Sequence, residues 1–264
     1  MLRIVALVKY TPELTGDRRF AADFTIDRPA AGSRLSELDE HAAEQALRLA
    51  DARLAEDGEA EITYLTMGPP GAAEALRKAL SMGGDKAVHV TDDALHGADA
   101  LATSLVLARA VERIGFDLVL CGMASTDAGM GVVPAMLAER LGIPQVSLAG
   151  SLSLDGDRVS IEREGQAATE TVEGTLPALV SVTDRTGEAR YPSFKGIMAA
   201  KKKPVETWSL ADLGIDASRV GLAAAHTRVL SVTPRPPRQS GEMVKDDGDG
   251  GVRLADFLSA QKFI

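Results

Sequence analysis

Residues 122–134 read G-M-A-S-T-D-A-G-M-G-V-V-P, a run of small and hydroxyl side chains between an aliphatic segment and a helical pattern. Small residues let a phosphate approach the backbone, and a helix N-terminus offers free N–H groups and a positive dipole end. Ser125 and Thr126 add hydroxyl donors, while Asp127 suits either fixing the loop or meeting a ribose hydroxyl. The run is not a P-loop, because no Gly-Lys-Ser/Thr follows, and G-x-G-x-x-G is absent in the required register. By itself it fits two roles, a nucleotide cradle or a plain tight connection between strand and helix. Two other strand ends, Leu7-Val8-Lys9 and Met67-Gly68-Pro69, would lie at the same end of a parallel sheet, where ligands bind.

A second cluster spans 189–204, A-R-Y-P-S-F-K-G-I-M-A-A-K-K-K-P. Tyr191 precedes a proline and is pushed out of the helical region. Phe194, Ile197 and Met198 then fall three and four apart, so one helical turn puts them on a single face. They suit either a short helix tucked onto the core or a docking loop, an apolar anchor set beside Lys195 and Lys201 to Lys203 for an acidic partner.

No set of residues for bond chemistry stands out. His41, His89, His96 and His226 are scattered, with no H-x-x-x-H pair for a metal. The single cysteine, Cys121, ends an aliphatic segment where an inert thiol is expected, and it excludes an internal disulfide or a CxxC set. Glu162, Arg163 and Glu164 read as a solvated ion-pair face. A net charge of −9 with no basic stripe argues against nucleic acid. No apolar run approaches the roughly 20 residues of a membrane helix. The opening M-L-R-I-V-A-L-V reads as a strand rather than a targeting segment, so a soluble cytoplasmic protein is expected.

These residues need a frame. With 45% hydrophobic residues and only 4% aromatic ones, the core must be Ala, Val, Leu and Ile, as in helix-covered parallel sheets. Strands are expected at 4–8, 62–67, 87–91, 118–121 and 179–182, and helices at 36–56, 72–82, 99–114 and 131–141. Ser36 with Asp39 resembles an N-terminal cap arrangement. Residues 10–34 read as an extended, partly irregular loop. Segments 146–154, 158–164 and 169–173 alternate apolar with polar around an Asp-Gly turn, which predicts antiparallel strands on the sheet edge. Past Lys203 no core period is visible until Val252, and 234–237 with 246–251 resembles a linker. The expected fold is therefore α/β, a doubly wound and mostly parallel sheet with an added antiparallel hairpin, over residues 1–204, followed by a C-terminal arm at 205–264.

The segment R-Y-P-S-F-K-G-I-M-A-A-K-K-K resembles the recognition-loop signature of the electron transfer flavoprotein β-subunit family, and the resemblance extends through nearly the whole chain to A-Q-K-F-I. It implies a domain of the adenine-nucleotide-binding type that carries a structural AMP. Gly122, Ser125, Thr126, Asp127, Gly129, Met130, Gly131 and Val132 would cradle it, with Leu7, Val8, Ser36, Leu38, Asp39 and Met67 as further walls. It implies an α-subunit partner holding the redox FAD, with Arg163 and Glu164 facing that flavin, and an arm that wraps the partner. Tyr191, Phe194, Lys195, Ile197, Met198 and Lys201 to Lys203 would dock flavin dehydrogenases such as acyl-CoA dehydrogenases. Electrons would pass on to a quinone oxidoreductase, the chain making no bonds itself. Three departures stand out: Ala199 and Ala200 where a lysine often follows the methionine, a 127–134 loop shorter by one residue, and Gln166 where an acidic residue is usual. A bifurcating member would hold a second FAD in place of AMP. A stand-alone adenine-nucleotide-binding module is the remaining alternative of another class, and an adenylate-forming or pyrophosphatase enzyme lacks the needed serine cluster and carboxylate pair.

Overall fold

The computed structural model describes residues 1–13, 19–233, 236, 241 and 243–264. Two compact units divide at Leu230, and the first carries every element up to that point. Its backbone is a seven-stranded sheet in the order β12-β5-β4-β1-β6-β11-β7, with every neighbouring pair parallel. In chain order the strands are β1 (Leu2–Leu7), β4 (Ala60–Met67), β5 (Lys86–Val90), β6 (Leu118–Gly122), β7 (Gln145–Ala149), β11 (Ala178–Val182) and β12 (Val205–Trp208). A ribbon of β2 (Tyr10–Pro12) and β3 (Ser33–Leu35) and a three-stranded antiparallel sheet of β8 (Ser151–Asp155), β9 (Arg158–Glu164) and β10 (Thr169–Thr175) complete the strands.

Parallel strands buried on both faces need apolar residues in both phases of the pleat. In β1, Ile4 and Ala6 point to one face while Val5 and Leu7 point to the other, and all are buried. The first face is covered by α2 (Glu37–Ala55) and α3 (Ala73–Met82), whose Ala43, Ala46, Leu76 and Leu80 meet Ile62 and Tyr64. The second is covered by α4 (Ala100–Ile114) and α5 (Val133–Leu141) through Val106, Ala110 and Leu137. Small alanines at these contacts let the helices lie close to the sheet.

The chain runs outward from β1 through β4 to β5, then returns to the opposite side of β1 at β6. The loops after β1 and β6 therefore part from one another at a topological switch point, which opens a crevice at the carboxyl ends of the strands. The run 122–132 occupies one wall of it.

Four expectations need correction. Residues past Lys203 are not all arm: β12 pairs with β5, and Trp208, Leu210, Ile215 and Val220 are buried in the α4 face, so the compact unit extends to Leu230. Residues 146–154 are not one antiparallel strand. The chain breaks at Gly150, leaving β7 parallel to β11 and β8 in the separate sheet. Residues 10–34 contain β2, β3 and one turn of helix, α1 (Arg28–Ala31). Part of the 246–251 run caps a helix, since Asp246 Oδ1 accepts from Gly248 and Gly250 N–H at 2.8 and 2.9 Å just where a C-terminal helix starts. Pro234, Arg235 and Pro237 of the expected linker lie outside the described residues. After α6 (Phe194–Ala200) and α7 (Gly221–Ala224), that helix, α8 (Gly250–Ala260), belongs to the second unit.

Candidate nucleotide site and docking helix

Asp39 joins the two sides of the crevice. Its Oδ2 accepts from the Lys9 N–H at 2.8 Å, after β1, and its Oδ1 accepts from the Gly122 N–H at 3.2 Å, at the end of β6. A side chain on Gly122 would place its Cβ 2.7 Å from Asp39 Oδ1, which is why the strand ends on glycine. Burial pushes the Asp39 carboxyl up to about 7, against the pull of those two N–H groups. The expected cap is not formed: Ser36 stands at the N-cap of α2 without a side-chain bond, and its buried Oγ has no partner.

Asp127 is tuned the opposite way. Burial would raise its pKa, but Lys9 Nζ and Arg28, each at 2.7 Å, outweigh it and hold the carboxyl well below the usual range. Lys9 Nζ also reaches Ser125 Oγ at 3.1 Å, and Thr126 Oγ1 meets Thr11 Oγ1 at 3.2 Å. The loop is then folded back by Ala128 N–H to Asp127 and Gly129 N–H to the Ser125 carbonyl, at 2.9 and 2.8 Å. Gly129 and Gly131 have φ of 65° and 66°, a left-handed conformation that costs other residues energy. They turn the exposed Met130 outward and bring the chain into α5, whose N-cap Val132 makes no side-chain bond.

Leu7, Val8, Ser36, Leu38, Asp39, Gly122, Ser125, Thr126, Asp127, Gly129, Met130, Gly131 and Val132 lie on strand ends, loops and helix starts at the carboxyl end of the sheet, with Leu7 turned into the core. Met67 closes the neighbouring β4 and packs half-buried on the α4 face. Lys9, named only as part of the first strand end, joins the cluster with its side chain, and Thr11 and Arg28 join it without having been expected there. Lys9 had a signal, since it ends the first strand; Arg28 sits in an aperiodic stretch and had none.

The second cluster folds as α6. Ser193 caps it by accepting from Gly196 N–H at 3.0 Å. A Cβ on Gly196 would lie 2.4 Å from the Ser81 carbonyl, so glycine lets α6 press onto the end of α3. Arg77 donates to the carbonyls of Ala200 and Lys203 at 2.6 and 2.9 Å. Tyr191 is 92% exposed and Phe194 80%, and Ile197 and Met198 are exposed as well, so a role as core helix does not fit. Lys195, Lys201 and Lys202 are exposed. Lys203 is not part of that free charge: its Nζ donates to the Leu80 carbonyl at 3.0 Å, and burial lowers its pKa.

Arg163 and Glu164 lie on β9 but do not pair with each other. Arg163 binds Glu170 at 2.7 Å, and Glu164 pairs with Arg185. Cys121 is buried, its thiol pushed far up by burial. Among the described residues no group of His, Cys, Asp or Glu is placed to hold a metal ion, and no helix is long and apolar enough to cross a membrane.

Known proteins share this sequence pattern along its length. Residues 23–213 match the family model described as electron transfer flavoprotein domain. A Mycobacterium tuberculosis protein named electron transfer flavoprotein subunit beta is 47% identical, with 100% of both chains covered. One of the same name from Megasphaera elsdenii is 31% identical over 100% of both. The caffeyl-CoA reductase-Etf complex subunit CarD of Acetobacterium woodii is 32% identical over 92% of both. With most of its first unit matched by the family model and full-length similarity to such subunits, the chain belongs to the electron transfer flavoprotein family as a β-subunit.

Proposed function

We propose that this chain is the β-subunit of a heterodimeric electron carrier, binding a structural AMP in the crevice and presenting α6 to flavin dehydrogenases. The crevice carries the reading. It joins two cations, Lys9 and Arg28, with an uncapped helix N-terminus, left-handed glycines and the orphaned buried hydroxyl of Ser36. That donor set suits a phosphate and a polar heterocycle. The first-turn N–H groups of α5 and the backbone around Gly131 would hold the phosphate. Asp127, its side chain buried and both oxygens engaged by Lys9, Arg28 and the Ala128 N–H, fixes the shape of the loop, and Ser36 and Asp39 bound the far wall. Bound AMP supplies a fixed negative charge and a rigid filling, with no redox chemistry of its own.

The redox FAD belongs on an α-subunit partner, with Arg163 and Glu164 of β9 toward it. Acyl-CoA dehydrogenases are the expected donors and a quinone oxidoreductase the acceptor, as in fatty acid oxidation. Charge and exposure favour docking through α6, where an apolar anchor is surrounded by Lys195, Lys201 and Lys202. The exposure of residues 128–131 supports a second reading, in which a dinucleotide extends past the loop and a second FAD replaces AMP, as in a bifurcating complex.

Gly131→Trp tests the nucleotide site. A tryptophan there must adopt the left-handed backbone of Gly131, with its Cβ 3.7 Å from the Met123 carbonyl, and puts a large ring beside the backbone proposed to hold the phosphate. The co-expressed heterodimer should purify with less than about a tenth of the wild-type AMP and with a lower melting temperature, since AMP stabilises the folded state by mass action. Full AMP occupancy in this variant would place the nucleotide elsewhere.

A further inference from the structure

The segment that leads into α6 is gripped by α2 through a buried carboxylate. Glu44 is 4% exposed. It accepts from the Arg190 backbone N–H at 3.0 Å, from Arg190 Nε at 2.8 Å and from Arg48 Nε at 2.8 Å. Arg190 also reaches Asp51 at 3.0 Å. The same helix holds the preceding carbonyls. Gln45 and Arg48 both donate to that of Thr186, at 3.1 and 3.2 Å, and Arg48 donates to that of Glu188 at 3.2 Å. His41 Nδ1 lies 2.9 Å from the Gly187 carbonyl.

Only the Glu44 side of this pair is buried, Arg190 keeping 36% of its side chain exposed. Desolvation of the carboxylate offsets much of the attraction, and the best-attested use of such a pair is to fix register and orientation. An apolar pair would fill this space as well but would leave the Arg190 backbone N–H without its acceptor, and the step from Glu188 to Tyr191 without a set direction. The exposed residues after Arg190 depend on that direction. Tyr191 and Phe194 are not held by packing, and α6 has only seven residues, too few to be helical on its own. Its far end is fixed by Gly196 against Ser81 and by Arg77; its near end is fixed by Arg190.

We propose that Arg190 and Glu44 are positioning residues for docking: they preset the path of 186–193, so that a dehydrogenase meets Phe194, Ile197 and Met198 already arranged. An anchor ordered in advance avoids the cost of ordering it on contact. The inference rests on the docking reading of α6, and its test keeps the two apart.

The experiment uses the intact heterodimer with Glu44→Leu/Arg190→Met, Arg190→Lys and Phe194→Ala. Amide hydrogen exchange is followed over 186–198, and KM and kcat are measured with a purified acyl-CoA dehydrogenase reduced by its acyl-CoA. The double variant should exchange faster in that segment and show a KM about tenfold higher, with kcat, flavin and AMP content kept. Arg190→Lys retains the charge but loses the fork, and should fall between; if the double variant does not assemble, this variant carries the test. Wild-type exchange overturns the proposal, and so does faster exchange with unchanged KM. If Phe194→Ala raises KM while the clamp variants do not, only the positioning role fails. If Phe194→Ala leaves KM unchanged, the docking reading of α6 itself fails.

Discussion

Asp39 and Asp127 share one crevice and are tuned in opposite directions, which separates their pH dependence. Asp127, held low by Lys9 and Arg28, contributes stability that is present above the ordinary carboxylate range and is lost only as pH falls well below about 4. Asp39, raised to about 7 by burial, does the reverse. Below about pH 4 both folded and unfolded chains keep its proton. Between there and 7 the unfolded chain has released it and the folded one has not, so stability falls as pH rises, by at most about 1.4 kcal/mol per pH unit, and levels off above 7. His89, whose pKa burial lowers, works against this trend near neutrality but is common to wild type and variant. Asp39→Asn keeps only one acceptor for two N–H groups and should melt below wild type at pH 5.5. The gap should narrow up to about pH 7 and then stay level to pH 8, measured by calorimetry at fixed excess AMP. A gap that is the same at both pH values would show that Asp39 is ionised throughout. The types and spacing of residues 122–132 made this loop legible in the sequence as a candidate cradle, because backbone cradles depend on local composition. Arg28 was not legible, since its partner Asp127 lies 99 residues away and only the folded chain brings them together.

At the scale of elements, the same contrast holds. The strand–helix alternation up to residue 144 was readable because strands buried on both faces are continuous aliphatic runs and the covering helices keep a 3.6-residue stripe. β12 was not readable: its Trp208 and the following Leu210, Ile215 and Val220 are spaced by short 3₁₀ turns and show no period, although they are core. Gly150 likewise hides a change of sheet inside one alternating run, because β7 and β8 are each only five residues long. The segment of α6, proposed as the docking helix, was readable as a motif but not as to which lysines are free. Phe194→Ala should leave melting temperature, flavin and AMP nearly unchanged, because the side chain is 80% exposed. It should lower electron transfer from a subsaturating dehydrogenase about tenfold, the order expected for a truncated anchor. The lysines should divide. Lys201→Ala/Lys202→Ala should slow association and flatten its salt dependence without loss of stability. Lys203→Ala should cost about 1 kcal/mol of stability, through the lost bond to Leu80. Equal behaviour of all three positions in stopped-flow and melting experiments would remove this distinction.

At the scale of the whole molecule, the first unit has a core on both faces of its sheet, whereas the second, Ser231–Ile264, has none of its own among the described residues. The residues Val252, Leu254 and Phe257 of α8, with Phe263 and Ile264 after it, are exposed within the chain. Apolar surface of this kind marks an interface, and we propose that the α-subunit covers it. The division of labour comes from the parts. On the proposed reading, this chain would supply the sheet, a nucleotide site and a docking helix, and an α-subunit would supply the flavin. The most direct test is to co-express the chain with its α-subunit, denature the purified complex, and count the released nucleotides by chromatography. The account predicts a one-to-one heterodimer releasing one FAD and one AMP, with the AMP lost in Gly131→Trp and the FAD retained. Two FAD and no AMP, or a stable lone chain that binds neither partner nor nucleotide, would contradict it.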